Sequence, residues 1–197
     1  MKNFVHYFLR RCLPLLLALS LVACSQARLR GDPPPVAMVG TTLTGIGHLG
    51  ANVGIPRYFV NGYWGGNVGG WGGGGSFVSS GFKLPAQMPK EPYMVTVTWI
   101  TCDVGHIEYV NNMRVNPDAR CIKAEHEAVV PVHYSLPEGR GGSGLKIHFL
   151  PGNKVEVWYT VMGPSASDYP GPAFPRGPAP DYAPVPETSS ATVNGGQ

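Results

Sequence analysis

Apolar and polar positions alternate most regularly between Tyr93 and Cys102, where Val95, Val97 and Trp99 fall on one side of an extended chain and Thr96 and Thr98 on the other. A period of two with β-branched residues on both faces predicts a half-buried strand. The same pattern recurs near the C-terminal end. Val155, Val157, Tyr159 and Val161 oppose Glu156, Trp158 and Thr160, and this arm follows Leu145 to Leu150 across Pro151-Gly152-Asn153. That spacing and turn chemistry predict a hairpin. Shorter extended stretches are expected at Val39 to Thr44, at Arg57 to Asn61 with Tyr58 and Val60 on one side and Phe59 on the other, and at Ser76 to Leu84. Cys121 to Tyr134 reads as a further strand, with Pro131 marking an edge or a bulge. Residues 103–120 lack a clear period and fit a short helix or a long loop equally well.

About seven short strands separated by Gly and Pro turns, with no long segment of period 3.6 after residue 23, predict an all-β domain. An antiparallel β-sandwich or a small barrel are the two architectures that fit. The 27 glycines and 20 prolines point the same way, because they disfavour helices and supply turns.

The N-terminal segment departs from this pattern. A basic start (Lys2, Arg10, Arg11) precedes an apolar run from Cys12 to Ala23, the build of a secretory signal and shorter than the roughly 20 residues a membrane span needs. Leu21-Val22-Ala23-Cys24 matches a bacterial lipobox, so residues 1–23 are expected to be removed and Cys24 to carry the lipid that anchors the chain to the membrane. Ser25 stands where an aspartate would favour retention at the inner membrane. An outer-membrane anchor, with the domain facing the periplasm, is therefore expected. Residues 24–38, with Arg28, Arg30 and Pro33 to Pro35, read as an extended tether. The β domain is expected over 39–163. Residues 164–197, with eight prolines and then Ser, Thr, Asn and Gly, are expected to be a disordered tail outside the core.

Removal of the signal changes the charge and cysteine arithmetic. The formal charge of +3 falls to zero, because the three basic residues of the signal leave and all twelve acids stay. No basic patch supports nucleic-acid binding. With Cys12 removed and Cys24 acylated, Cys102 and Cys121 remain. A disulfide worth about 3 kcal/mol is the simplest outcome in an oxidising compartment. A pair of buried thiols is the competing reading, and a metal site is disfavoured because neither cysteine belongs to a close C-x-x-C pair.

Several motifs suggest chemistry that their surroundings do not support. Gly45-Ile46-Gly47-His48-Leu49-Gly50 has dinucleotide-loop spacing, but no amphipathic helix follows it and no acid lies about twenty residues on. The glycine block ending at Gly75 lacks the Gly-Lys-Ser/Thr of a phosphate loop. Ser76 and Ser143 each miss the second glycine of a nucleophile elbow. His126-Glu127 begins a zinc-protease motif, yet Val130 occupies the place of the second histidine. His48, His106, His133 and His148 are scattered. No catalytic residues, metal or cofactor are expected, and an enzyme ranks last among the functional readings.

The aromatic residues set in glycine are different. Tyr63, Trp64 and Trp71, with Asn61 and Asn67 beside them, either cover an end of the core or form a recognition surface, since Trp and Tyr are enriched among binding hot spots. The same stretch carries a family resemblance. Phe59-Val60-Asn61-Gly62-Tyr63-Trp64-Gly65-Gly66-Asn67, glycines 72 to 75, Leu84-Pro85, Val95-Thr96-Val97-Thr98-Trp99 and His148-Phe149-Leu150-Pro151-Gly152 together resemble a proteobacterial lipoprotein family of unknown function. Its members are often encoded beside lipase effectors of the type VI secretion system. Cysteines common in that family near the positions of Ser79 and Ser80 are absent here.

The resemblance implies an immunity protein that binds and neutralises a secreted lipase effector. The aromatics set in glycine make Asn61, Tyr63, Trp64, Asn67 and Trp71 the expected contacts. The alternative class is a structural or adhesive envelope lipoprotein holding a cell-wall or outer-membrane partner.

Overall fold

The structure, a computed structural model, describes residues 36–181 except 74–75, 78–80, 112, 138–141 and 143, with the backbone alone at 76–77. Among the described residues there are twelve strands: β1 (Met38–Gly40), β2 (Leu43–Gly47), β3 (Val53–Val60), β4 (Tyr63–Val68), β5 (Ser76–Phe77), β6 (Lys83–Pro85), β7 (Met94–Asp103), β8 (Tyr109–Val110), β9 (Met113–Arg114), β10 (Ile122–Ser135), β11 (Leu145–Leu150) and β12 (Lys154–Thr160). Eight of them form one sheet in the order β4-β3-β7-β10-β12-β11-β2-β5. β4 returns against β2 and β5, so the sheet curls into a nearly closed barrel. The expected all-β, barrel-like class is what the chain adopts. Two pairings differ from the expected antiparallel sheet, because β10 runs parallel to β12 and β11 parallel to β2.

The alternation read from the sequence explains the core. Val95, Val97 and Trp99 of β7 point inward with Val155, Val157 and Tyr159 of β12 and Leu145, Ile147 and Phe149 of β11. Tyr58 and Val60 point inward and Phe59 outward. The β11–β12 hairpin turns through Pro151 to Asn153, with Leu150 opposite Lys154, and both Gly152 (φ 76°) and Asn153 (φ 57°) occupy the left-handed region.

Glycines matter most where the sheet closes on itself. The Tyr58 ring lies against Gly45 of β2 and Gly65 of β4, and a Cβ on either glycine would run into it. A Cβ on Gly47 would strike the Gly69 carbonyl. Backbone bonds from the Leu49 N–H to the Gly70 carbonyl (2.7 Å) and from the Gly72 N–H to the Gly47 carbonyl (2.9 Å) stitch the closure. The glycine-rich arm is thus ordered by close backbone approach, which only residues without side chains permit. The Tyr58 hydroxyl faces the Gly45 backbone but makes no well-formed hydrogen bond, and burial pushes its pKa up.

One end of the barrel is capped by the small β1/β6 sheet, with Leu84 fully buried beneath it. At the other end β7 and β10 continue as a long antiparallel ribbon, Ile122 lying opposite Asp103. β12 pairs with β10 only from Val132 onward, so the preceding length of β10 has one unpaired edge. Pro131 sits at this boundary, where its missing N–H costs least.

As far as Asp181 the segment after Gly163 adds nothing to the hydrophobic core but is bonded to the domain, where a disordered tail was expected. Residues 164–181 lie against His148 of β11, Trp158 of β12 and the residues around Ala51, Trp71 and Gly72. The Pro180 carbonyl accepts from the Ala51 N–H (3.1 Å), and the Gly177 carbonyl accepts from the Trp71 indole (3.2 Å). Proline-rich composition gave no sign that Tyr169 and Phe174 would find sites on the sheet. Residues 182–197 lie outside the described residues.

Candidate functional site

The residues expected to bind a partner do not form one patch. Asn61 and Gly62 form the β3–β4 turn with φ of 49° and 79°, values that suit the Asn-Gly pair of a tight hairpin. The Asn61 side-chain oxygen accepts from the Thr96 N–H at 2.8 Å, which gives Asn61 a structural task. Tyr63 and Trp64 follow the turn and are exposed, with Tyr63 edge-on to Phe82 at 5.7 Å. Asn67 is exposed farther along β4. Trp71 lies beyond the far end of β4, bridged to His48 and half-buried beneath the C-terminal segment. Cys24 and the signal residues lie outside the described residues.

Cys102 and Cys121 form a disulfide with their Cα atoms 5.3 Å apart. The bond closes the base of the loop that joins β7 to β10, and that loop is the most distinctive surface of the molecule. β8 and β9 pair antiparallel within it, with Asn111 in the left-handed region at their turn (φ 48°). Ile107 is buried and anchors the loop, and the Val104 N–H donates to the Asn52 carbonyl at 2.8 Å. The Asp103 carboxylate accepts from the Gly105 N–H at 2.8 Å. Arg114 donates to the Ala119 carbonyl at 3.1 Å and lies over the Tyr109 ring at 5.9 Å.

These bonds hold in place a cluster of side chains that folding leaves uncovered. Tyr109, Val110, Met113, Val115 and Ile122 are each more than half exposed. Glu108, Arg114, Asp118 and Arg120 are also exposed around them, two charges of each sign. Val110 and Met113 share one face of the β8–β9 pair and Tyr109 lies beneath Arg114 on the other; exposed apolar side chains among charged ones suit a protein interface, and the preformed loop lowers the entropy lost on binding.

A groove of about 500 Å³ lies along the middle of β3, β7 and β10. Strand register sets Arg57, Ile100 and Glu125 in one row and Phe59, Thr98 and Glu127 in the next. Two carboxylates therefore face one guanidinium across a partly apolar floor. Such charges act mainly on association rate and choice of partner.

A third cluster is buried. His48 Nε2 lies 2.9 Å from His148 Nδ1, and His148 Nε2 lies 2.6 Å from the Tyr169 hydroxyl. Sequence reasoning treated these histidines as scattered, because 100 positions separate them. His148 shares the outer face of β11 with Lys146, a face that would be open to water without the C-terminal segment. Burial, and after it neighbouring His48, lower the pKa of His148 to about 3. Burial also lowers the pKa of His48, with Glu156 opposing the shift. Both rings are thus held neutral, and the chain of bonds fastens Tyr169 to the sheet. Neither ring has the access a substrate would need, since His148 is fully buried. Elsewhere, His126 stacks on Trp99 and lies 2.9 Å from the Thr101 hydroxyl. Among the described residues no group of three or more His, Cys, Asp or Glu could hold a metal ion.

A family model described as "Protein of unknown function (DUF3304)" matches residues 50–157, more than half of the chain. The chain belongs to the DUF3304 family. The matched region runs from the start of β3 through the cystine-closed tip to β12, so the tip and the groove both lie within the DUF3304 domain. The segment carrying Tyr169 lies beyond it. Comparisons with curated proteins and with solved structures find no match.

Proposed function

We propose that this DUF3304 protein is a lipoprotein, anchored at Cys24 to the outer membrane and facing the periplasm, that binds and neutralises a phospholipase effector of the type VI secretion system. The observation that carries the reading is the cystine-closed tip. Four apolar side chains of the cross-linked loop, with Ile122 of β10 beside its base, are held exposed at a cost in solvation that a binding partner would recover. The lipobox and the family resemblance support the compartment and the class of partner. A phospholipase acting from the periplasm attacks the membrane there, so an inhibitor tethered to that membrane meets it where it works.

In this reading the tip covers the apolar entrance of the lipase, and the Arg57, Glu125 and Glu127 groove orients the encounter. The protein performs no chemistry of its own. Of the aromatic residues first expected to bind, Trp71 is half covered by the C-terminal segment and Trp64 stands opposite Phe59 at the edge of the groove, away from the tip; in this reading the tip is the main contact.

The test is co-purification of the mature chain with the product of the adjacent gene, followed by a phospholipase assay. A stable complex with the hydrolysis lost supports the reading. A neighbour unrelated to lipases, or a lipase that neither binds nor loses activity, overturns it and shifts weight to the adhesive envelope reading.

A further inference from the structure

We propose that the end of the barrel capped by β1 and β6 rests on the lipid bilayer surface. This rests on the anchoring at Cys24 proposed above. Met38, Tyr63, Trp64, Met88 and Met94 are between 40% and 75% exposed, and the fold gathers them at this one end. Met38 pairs with Pro85 across the cap, and Met88 follows Pro85 by three residues. Tyr63 touches Phe82, which directly precedes β6. Met94 opens β7 beside Tyr93, whose hydroxyl reaches the Lys83 carbonyl at 3.5 Å. The Asn61 bond to Thr96 sets the β3–β4 turn near this same end of β7, and Trp64, opposite Phe59, stands one step farther along on the outer face.

The composition suits an interfacial layer better than a dry protein contact. Tyr and Trp rings favour the headgroup level, and methionines adapt to a fluid partner. Lys83 and Lys90 are exposed among them and would meet anionic headgroups, each attraction being of the kind that draws basic residues to a membrane. β1 begins at Met38, fourteen residues after Cys24, so the lipidated chain joins the domain at this end. A tether that short keeps the local lipid concentration high, and a weak surface contact then suffices. The cystine-closed tip lies at the other end of the ten-residue β7, roughly 30 Å away, and is presented to the periplasm.

The experiment places an environment-sensitive fluorophore on a single new cysteine in the full mature chain, M88C at the proposed contact and V115C at the tip. Each is mixed with vesicles of phosphatidylethanolamine and phosphatidylglycerol containing a lipid-borne quencher. Lipidated chain and a C24S chain at excess lipid are compared, and the mass of the Cys24 peptide is measured in the lipidated sample. The expected result is a blue-shifted label at position 88, quenched several-fold more than the label at position 115, with the C24S chain needing more lipid. A label at position 88 that stays in water, or is quenched no more than the one at position 115, overturns the proposal. An unacylated Cys24 with the position 88 label in lipid would sink the anchor and keep the contact. An acylated Cys24 with that label in water would do the reverse.

Discussion

Two regions of this chain look alike as irregular sequence and do opposite things in the fold. The glycine-rich arm from Gly62 to Gly73 carries conspicuous aromatics, yet its backbone is drawn into the barrel closure by Gly47, Gly65 and Gly70, and Trp71 is half covered. The loop from Val104 to Cys121 carries less conspicuous residues and is held clear of the barrel by its disulfide, with Tyr109, Val110 and Met113 exposed. The difference lies in what each backbone can approach. Glycine lets another strand come close and so consumes the arm's surface, whereas the side chains and the cystine of the tip keep neighbours away. An aromatic in a glycine frame is therefore a weak sign of recognition, and an apolar side chain on a cross-linked loop is a stronger one.

The largest effect expected from this contrast is at the closure. Gly65→Ala drives a methyl into the Tyr58 ring and should destabilise the domain by about 3 kcal/mol or more. Gly163→Ala, where no atom lies within 4 Å of the added carbon, should change stability by less than about 0.5 kcal/mol. Thermal unfolding of the two variants gives the comparison, and similar melting temperatures would refute the closure argument.

Next comes the cross-link. Replacing Cys102 and Cys121 together by serine should cost about 3 kcal/mol through the freed loop, and the tip should then exchange its amide hydrogens far faster while the glycine arm keeps its protection. Equal loosening of both regions would mean that the tip is not an independent unit.

A smaller effect is expected at the Tyr169 fastening. Tyr169→Phe leaves His148 Nε2 without its partner, the bond from Nδ1 to His48 remaining, and should cost about 1–2 kcal/mol, with Arg176 becoming open to trypsin. Acid should loosen the same contact. The unfolded histidine binds a proton near pH 6.5 while folded His148 resists until about pH 3. Its contribution is therefore complete above pH 6.5 and is lost as pH falls through the window down to about 3, by at most about 1.4 kcal/mol per pH unit. His148→Gln should flatten this slope in a melting series between those limits.

The smallest effect on stability should come from the tip surface itself. Val110→Asp with Met113→Asp should move the unfolding free energy by less than about 0.5 kcal/mol. A loss beyond about 2 kcal/mol would show that these side chains belong to the core.

β7 and the β11–β12 hairpin were legible because alternation over seven or more residues is a local signal, and both arms bury the side that pattern selects. The Cys102–Cys121 pairing was legible from elimination. The closure was not, since nothing near Gly45 or Gly65 records that Tyr58 will lie between them. Strands of two residues, as in β8 and β9, are too short to show a period. Residues 164–181 read as a tail because prolines dominate, although Tyr169 and Phe174 among them were the available hint of docking. The parallel pairings of β10 with β12 and β11 with β2 depend on sheet order, which local pattern does not encode.

The account turns on which end of the barrel meets the protein partner. The direct measurement is the affinity of the mature chain for the adjacent-gene lipase, compared among wild type, the V110D/M113D tip variant and W64A. The account predicts that the tip variant loses at least 30-fold in affinity, the loss of one hot spot, while W64A binds as wild type does. A tip variant that binds normally, with W64A the weakened one, would contradict it and return the interface to the aromatic arm.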